Sequence, residues 1–376
     1  MKTGILEMEH FEGAYPIIQL FDMPANQVVV FTNTYTYHRF VELFKEDIDR
    51  FQWVVIDKTR NRLLFFWRLY KAAKKHQLDL FYVNTISNNH LLYAWMLGLL
   101  RIHRVVLTVH DLNCMFRSHW SIKLRQSLHH IGKKALIKRI KEFNVISEAM
   151  IENIREATRN EKTIHNLPGS VFRIEQTVLT INNYIHLVVC GALEKKRRDY
   201  SQVFDLVKAA EEKQLPLYIT LLGGYVDEFG RSIVQKAQTL NTKYARLTVY
   251  DSSLVPQDEF DKQLNNAHFI LITDVIDTAI CFAIPETYGR TKSSGNVFDG
   301  IKHARPFIVP APLRMPANLE SSCYRYSSNN QLIVFLSKLY ENRNDYMSWQ
   351  QQALANSKEY TIDKVRARNP ALFGVS

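Results

Sequence analysis

Cysteine is scarce in this chain, and its distribution excludes several chemistries. The four cysteines among 376 residues, Cys114, Cys190, Cys281 and Cys323, are scattered and never spaced as C-x-x-C. Neither a disulfide-stapled secreted scaffold nor a cysteine-ligated zinc site is encoded. Cys190 and Cys281 lie in or beside apolar runs that read as strands, as buried thiols of a reducing compartment would. No stretch approaches the roughly 18 consecutive apolar residues that a membrane span needs. Glu7 and Glu9 stand where a signal peptide would be apolar, so the expected location is cytoplasmic. G-x-G-x-x-G, Walker and G-x-S-x-G motifs are all missing, which argues against NAD enzymes, P-loop NTPases and serine hydrolases. Asp47 and Asp49 form an Asp-x-Asp, but in a charged helical stretch; no metal site is expected. With 46% apolar and 23% charged side chains, the chain is long enough for two well-packed domains.

Charge of one sign is concentrated. Lys and Arg outnumber Asp and Glu by 48 to 37, a net +11, and residues 101–141 alone hold ten bases against one acid, a net +9. Within that stretch, 121–141 reads as a basic amphipathic helix, with Leu124, Leu128, Ile131 and Ala135 as its apolar stripe. Such a helix either faces a core with a solvated basic back or lies on an anionic membrane through Lys133, Lys134, Lys138 and Arg139. Without a nucleic-acid-binding fold or an aromatic platform, no nucleic-acid partner is expected.

Apolar strands alternate with helices along the whole chain. Gly4–Met8, 27–32, 53–56, 80–83 and 105–109 read as strands of a parallel sheet covered on both faces, with 10–13 as a loop after the first. A second layer begins with the strand 186–190 and continues through 217–222, 247–249, 269–273 and 306–310. The reading is an α/β chain of two doubly wound domains, 1–180 and 181–376, with the final helix packing back on the first.

Three segments could carry chemistry. In Tyr288–Asp299, Ser293, Ser294 and Gly295 precede a helix whose free N–H groups suit a diphosphate; Lys292 adds a charge, and Asp299 can accept from ribose hydroxyls. The bland alternative is an ordinary helix start. Gly191–Tyr200 is a loop at a strand's carboxyl end, where ligands of open α/β sheets collect, and Arg198 is its base nearest the following helix. Finally, the strand 105–109 delivers His110 and Asp111 to the same edge of the first sheet as His10, Glu12 and Gly13, making Glu12 a candidate base.

In order and in residues these segments resemble a GT-B glycosyltransferase of the large retaining nucleotide-sugar family (group 1, family 4 type) of bacterial polysaccharide and glycolipid synthesis. Thr108-Val109-His110-Asp111 is similar to its strand-end His motif, Val145-Ile146-Ser147-Glu148 to its Ser-Glu segment, and Leu221-Leu222-Gly223-Gly224 and Gly295–Pro310 follow in the expected sequence. The resemblance implies two Rossmann-like domains facing a cleft and transfer of a sugar, without metal or other cofactor, from a nucleotide-diphosphate sugar to a saccharide or lipid-linked saccharide. Donor-binding residues would be Arg198, Lys292, Ser293, Ser294, Gly295, Asp299, Gly191 and Gly223; His110, Asp111 and Glu12 would serve catalysis, and His10, Gly13 and Asn84 the acceptor side. The enzyme would be cytoplasmic, peripheral on the inner face of the membrane. Ala192, Thr291, Asp299 and Ala304 depart from the family's Arg, acid, Glu and Gly. A catalytically inactive partner protein and a sugar-nucleotide epimerase or hydrolase of the same fold remain as alternatives.

Overall fold

The computed structural model describes residues 1–117, 124–173, 178–240, 242–279 and 284–374, with the side chains of Leu124 and Arg125 left aside. The strand expected around Cys281 and the start of the basic helix at Ser121–Lys123 fall outside these residues. The chain divides into two compact units. The first holds Met1–Gly169 with residues 284–286 and 362–374, and the second holds the rest.

In chain order the first unit runs β1 (Lys2–Leu6), α1 (Phe11–Phe21), β2 (Gln27–Thr32), α2 (Thr34–Phe44), β3 (Gln52–Val55), α3 (Arg62–His76) and β4 (Leu80–Val83). It continues with α4 (His90–Leu100), β5 (Arg104–Val109), α5 (Leu112–Phe116), α6 (Leu124–Arg139), β6 (Glu142–Val145), α7 (Ile151–Ala157) and β7 (Thr163–His165). The seven strands are parallel, in the order β3-β2-β1-β4-β5-β6-β7. Alternating residues of the apolar strands enter opposite faces. Phe31, Phe81, Val83, Leu107 and Phe143 enter a core with Phe66 of α3, Met96 of α4 and Leu136 of α6, so these three helices cover one face.

The second unit runs β8 (Ile185–Cys190), α8 (Tyr200–Glu212), β9 (Leu217–Leu222), α9 (Glu228–Gln238), β10 (Ala245–Val249), α10 (Gln257–Asn265), β11 (Phe269–Leu271) and α11 (Gly295–His303). Strands Phe307–Pro310 and Cys323–Tyr326 complete a sheet ordered β10-β9-β8-β11 and then those two. Both sheets therefore reverse direction once, between β1 and β4 and between β8 and β11. At such a switch point the connections leave in opposite directions and open a crevice at the strands' carboxyl ends.

Two sequence expectations are corrected. Phe11, Glu12 and Gly13 belong to the first turns of α1 rather than to a loop, and Pro16 sits in that helix. The helix α2, whose N-cap Asn33 accepts from the Thr36 amide, has no counterpart in the sequence reading. In α6, Leu128 and Ile131 are 48% and 46% exposed, while His130, Lys133 and Leu136, and Ile140 just after the helix, are buried. A chain segment returns to the first unit in the helix Ile362–Arg368, where Arg366 donates to the carbonyls of Gln19, Leu20 and Asp22 at the end of α1.

Candidate functional site

At the switch point of the second sheet, β8 ends at Cys190-Gly191 and the segment after β11 carries Thr273 and Asp274. Arg198 folds back over this edge. Gly191 has φ +97°, and a Cβ there would collide with the Arg198 guanidinium, so only glycine lets the guanidinium lie across the strand end. Gly223 serves the same close packing, because its absent Cβ leaves room for the Gly191 carbonyl. Arg198 Nη1 donates to the Ala192 carbonyl at 2.9 Å, and Nε stands 4.0 Å from Asp274 Oδ1.

Burial works against the charges of both partners. It pushes the Asp274 carboxyl up, with Arg198 and a hydrogen bond from Ser294 pulling it back; for Arg198 burial is outweighed by Asp274 together with Tyr200, Tyr288 and Cys190, and the guanidinium is held above its ordinary value. Ser294 occupies the N-cap position of α11 without a capping hydrogen bond, and its hydroxyl accepts from Asn296 Nδ2 at 3.1 Å. A Cβ on Gly295 would meet no described atom within 4 Å, so the start of α11 is open. Lys292 extends to 5.9 Å from the Tyr288 ring centre. Thr291, where the resemblance places an acid, closes the preceding loop by accepting from the Thr287 amide at 2.8 Å.

Asp299 projects from the second turn of α11 with an edge open to solvent and its carboxyl surrounded by protein. Burial pushes that carboxyl up to about 7, against Lys302, Arg198 and a hydrogen bond from the Cys190 thiol. Burial, followed by the Asp299 charge, in turn raises the thiol well above its ordinary value. Around this edge Arg198 Nε, Asp274 Oδ2, Thr273 Oγ1 and Asn296 Oδ1 are buried without a hydrogen-bond partner among the described residues. Buried polar atoms left this way call for a partner that the described residues do not supply.

The first sheet's switch point carries a second cluster, built on Glu7, directly after β1. Its Oε2 accepts from Asn84 Nδ2 at 2.7 Å and Thr85 Oγ1 at 2.8 Å, after β4; its Oε1 accepts from the amides of Glu9 at 2.5 Å and His10 at 2.8 Å. Behind it, His110 Nε2 donates to the Asn84 carbonyl at 3.0 Å and lies 3.3 Å from Thr85 Oγ1, leaving Nδ1 as the acceptor nitrogen. Burial lowers the His110 pKa, opposed by its bond to the Asn84 carbonyl, so the ring is neutral at pH 7. The His10 and His110 ring centres are 6.1 Å apart. Glu12, in the first turn of α1, has its carboxyl pushed up by burial, and Gly13 lies against Asn84. Asp111 occupies the N-cap position of α5 without a capping hydrogen bond.

His10, His110 and Asn84 thus meet at one edge, and Arg198, Ser294 and Asp299 at another. Lys133 leaves the set of surface bases: it is 5% exposed, and its ammonium donates to the Cys114 carbonyl, whereas Lys134, Lys138 and Arg139 are exposed. Glu7, Asp274 and Glu286 were not recognised in the sequence. Glu286 is buried and accepts from the amides of Asn113 at 3.3 Å and Cys114 at 2.6 Å, in the turn after Asp111. A lone acid just past an apolar strand was the available signal for Glu7 and Asp274. Among the described residues no three His, Cys, Asp or Glu side chains group as a metal site, and no helix is long and apolar enough to cross a membrane.

No protein-family model and no curated protein sequence matches this chain. Solved structures do. A TarM mutant from S. aureus in complex with Fondaparinux, alpha-GlcNAc-glycerol and UDP superposes with a TM-score of 0.63 at 9% identity, covering 100% of both chains. The chain has the GT-B fold. The apo lipopolysaccharide outer core galactosyltransferase WaaB gives 0.58 at 11% identity over 100% of this chain and 99% of the other. The UDP-GlcNAc 2-epimerase of Neisseria meningitidis bound to UDP-GlcNAc gives 0.59 at 10% identity over 100% of both. A galactosyltransferase and an epimerase share this GT-B architecture, so the fold alone does not choose the reaction.

Proposed function

We propose that this GT-B protein is a glycosyltransferase that takes a sugar from a nucleotide-diphosphate sugar and passes it to a saccharide or lipid-linked saccharide in cell-surface polysaccharide synthesis. The observation that carries the reading is the set of buried polar atoms of Arg198, Asp274 and Asn296 that have no partner among the described residues, at the switch point beside the open start of α11. A diphosphate would accept from Arg198, Lys292 and the free amides of that helix, which together meet the charge that develops on the leaving group without a metal ion. Asp299, whose carboxyl burial pushes up to about 7, accepts from ribose hydroxyls when ionised and can also donate to them when protonated.

On the other sheet edge, neutral His110, held by Asn84 and Thr85, would face the transferred sugar. Glu12, with its raised pKa, would take the acceptor's proton. The acceptor would lie against His10, Gly13 and Asn84, and the enzyme would work at the cytoplasmic face of the membrane.

The likeness to an epimerase bound to its sugar nucleotide supports a second reading, in which the donor is turned over with no acceptor. Thermal unfolding against a panel of nucleoside diphosphates and sugar nucleotides tests the donor site, since a ligand specific to the folded state raises Tm by mass action. A rise with one nucleotide family, lost in Asp299→Ala, is expected; no rise with any of them rejects the assignment. Donor consumption without acceptor would select the epimerase or hydrolase reading.

A further inference from the structure

The three helices that cover one face of the first sheet form a surface with an unusual composition. α3 packs against α4 and α4 against α6, and none of the three contains an aspartate or glutamate. α3 and α6 together carry ten bases, and eight of these are exposed, among them Arg68 and Lys71 on α3 and Lys134, Lys138 and Arg139 on α6. α4, between them, has no charged residue at all, and it turns Leu91, Trp95 and Leu99 outward at intervals of four, a single stripe along the helix. Trp67 of α3 and Leu128 and Ile131 of α6 continue the exposed apolar surface on either side.

The arrangement is a fixed property of the packing. Gly132 of α6 is pressed so closely on the Leu91 amide that a Cβ there would stand 2.6 Å from it, and the Arg139 guanidinium lies over Gly98. The two helices therefore run side by side in parallel, with the apolar stripe of α4 beside the bases of α6. On α3, Lys71 lies over the Trp67 ring at 5.2 Å, and Trp67 stacks on Tyr70. Ammonium groups thus border the aromatic surface.

We propose that this face of α3, α4 and α6 seats the protein on an anionic lipid bilayer, with Trp95, Leu91 and Leu99 entering the interface and the flanking bases meeting lipid phosphates. The charge pattern selects the occupant. A bilayer of anionic lipid presents negative charge over its whole area, which complements a surface lacking any acid, and its acyl boundary takes up the apolar stripe. A second copy of this face would bring base against base. Leu128 and Ile131, whose stripe the sequence assigns either to a core or to an anionic membrane, are part of the same surface, while Lys133 has no part in it.

The test is co-sedimentation of the full chain with vesicles of phosphatidylcholine alone and of phosphatidylcholine mixed with phosphatidylglycerol. Intrinsic fluorescence is followed in parallel, and the variants are Trp95→Ser with Leu99→Ser, and Lys71→Glu with Lys134→Glu and Lys138→Glu. Both sets alter exposed side chains, and thermal unfolding checks that they fold. Binding to the mixed vesicles only, a blue shift in the parent that the Trp95 variant loses, and a drop in partitioning of about 100-fold or more on reversing the three bases are expected. No sedimentation of the parent with anionic vesicles, equal sedimentation with neutral ones, or undiminished binding of the charge-reversed variant would each overturn the proposal. A dimer that the Trp95 variant dissociates, without vesicle binding, would overturn it in favour of a contact between copies.

Discussion

Glu7 Oε2 lies 2.8 Å from the Thr85 hydroxyl, and the same hydroxyl oxygen lies 3.3 Å from His110 Nε2. A carboxylate at the end of one strand is thereby connected through its neighbour to the histidine at the end of the next. Glu7 accepts four hydrogen bonds, and glutamine would offer an N–H where a carboxylate oxygen accepted, setting donors against donors. Glu7→Gln is expected to destabilise the fold by about 2 kcal/mol, measured by denaturant unfolding. It should also shift the pH profile of kcat/KM by loosening His110, whereas a purely structural role would leave that profile in place.

If Arg198 and Lys292 meet the leaving diphosphate, Lys292→Ala should lower kcat/KM by two orders of magnitude or more, about 3 kcal/mol of transition-state stabilisation, with Tm unchanged. Arg198→Ala should show the same kinetic loss with a lower Tm, because Asp274 then stays buried without its counter-charge. Steady-state kinetics with the donor that raises Tm checks both. Activity retained in the two variants would remove these residues from the donor site.

Asp299 makes stability depend on pH in a defined direction. Its carboxyl is raised from 3.8 to about 7 in the folded chain, so the folded state holds the proton more tightly than the unfolded state. The resulting penalty is absent below about pH 4, grows as pH rises toward 7 and is constant above. Asp299→Asn should therefore gain Tm relative to the parent at pH 8 and gain little at pH 4. Melting curves across that range decide the matter, and an offset independent of pH would contradict it.

Ala304 ends α11 with φ +42° and is fully buried, in the left-handed region where an alanine side chain is strained. The resemblance places a glycine there. Ala304→Gly is expected to stabilise the chain by up to about 1 kcal/mol, visible as a higher Tm. A lower Tm would mean that the lost contacts of the methyl group outweigh the relief of strain.

The two doubly wound layers were legible because strands buried on both faces must be apolar along their whole length, as in Val28–Phe31 and Leu187–Cys190. His110, Arg198 and Asp299 were legible because each stands just past a strand or in the early turns of a helix, and such positions follow from local pattern. Glu7 and Asp274 were not. Each is one acid after an apolar run, and its meaning lies in a partner 77 or 78 residues away for Glu7, in Asn84 and Thr85, and across the switch point for Asp274.

The sequence by itself determined the alternation of strands and helices, the concentration of bases and the identity of the chemical groups, since periodicity and composition are local. Strand order was decided only by tertiary packing: both sheets reverse once, which brings Glu7 to Asn84 and Arg198 to Asp274. Packing also decided which side of α6 is buried. The close approach of Gly132 to α4 turned Lys133 inward and left Leu128 and Ile131 exposed, because the space that a neighbouring helix leaves, and not hydrophobicity alone, sets the face that a helix can bury.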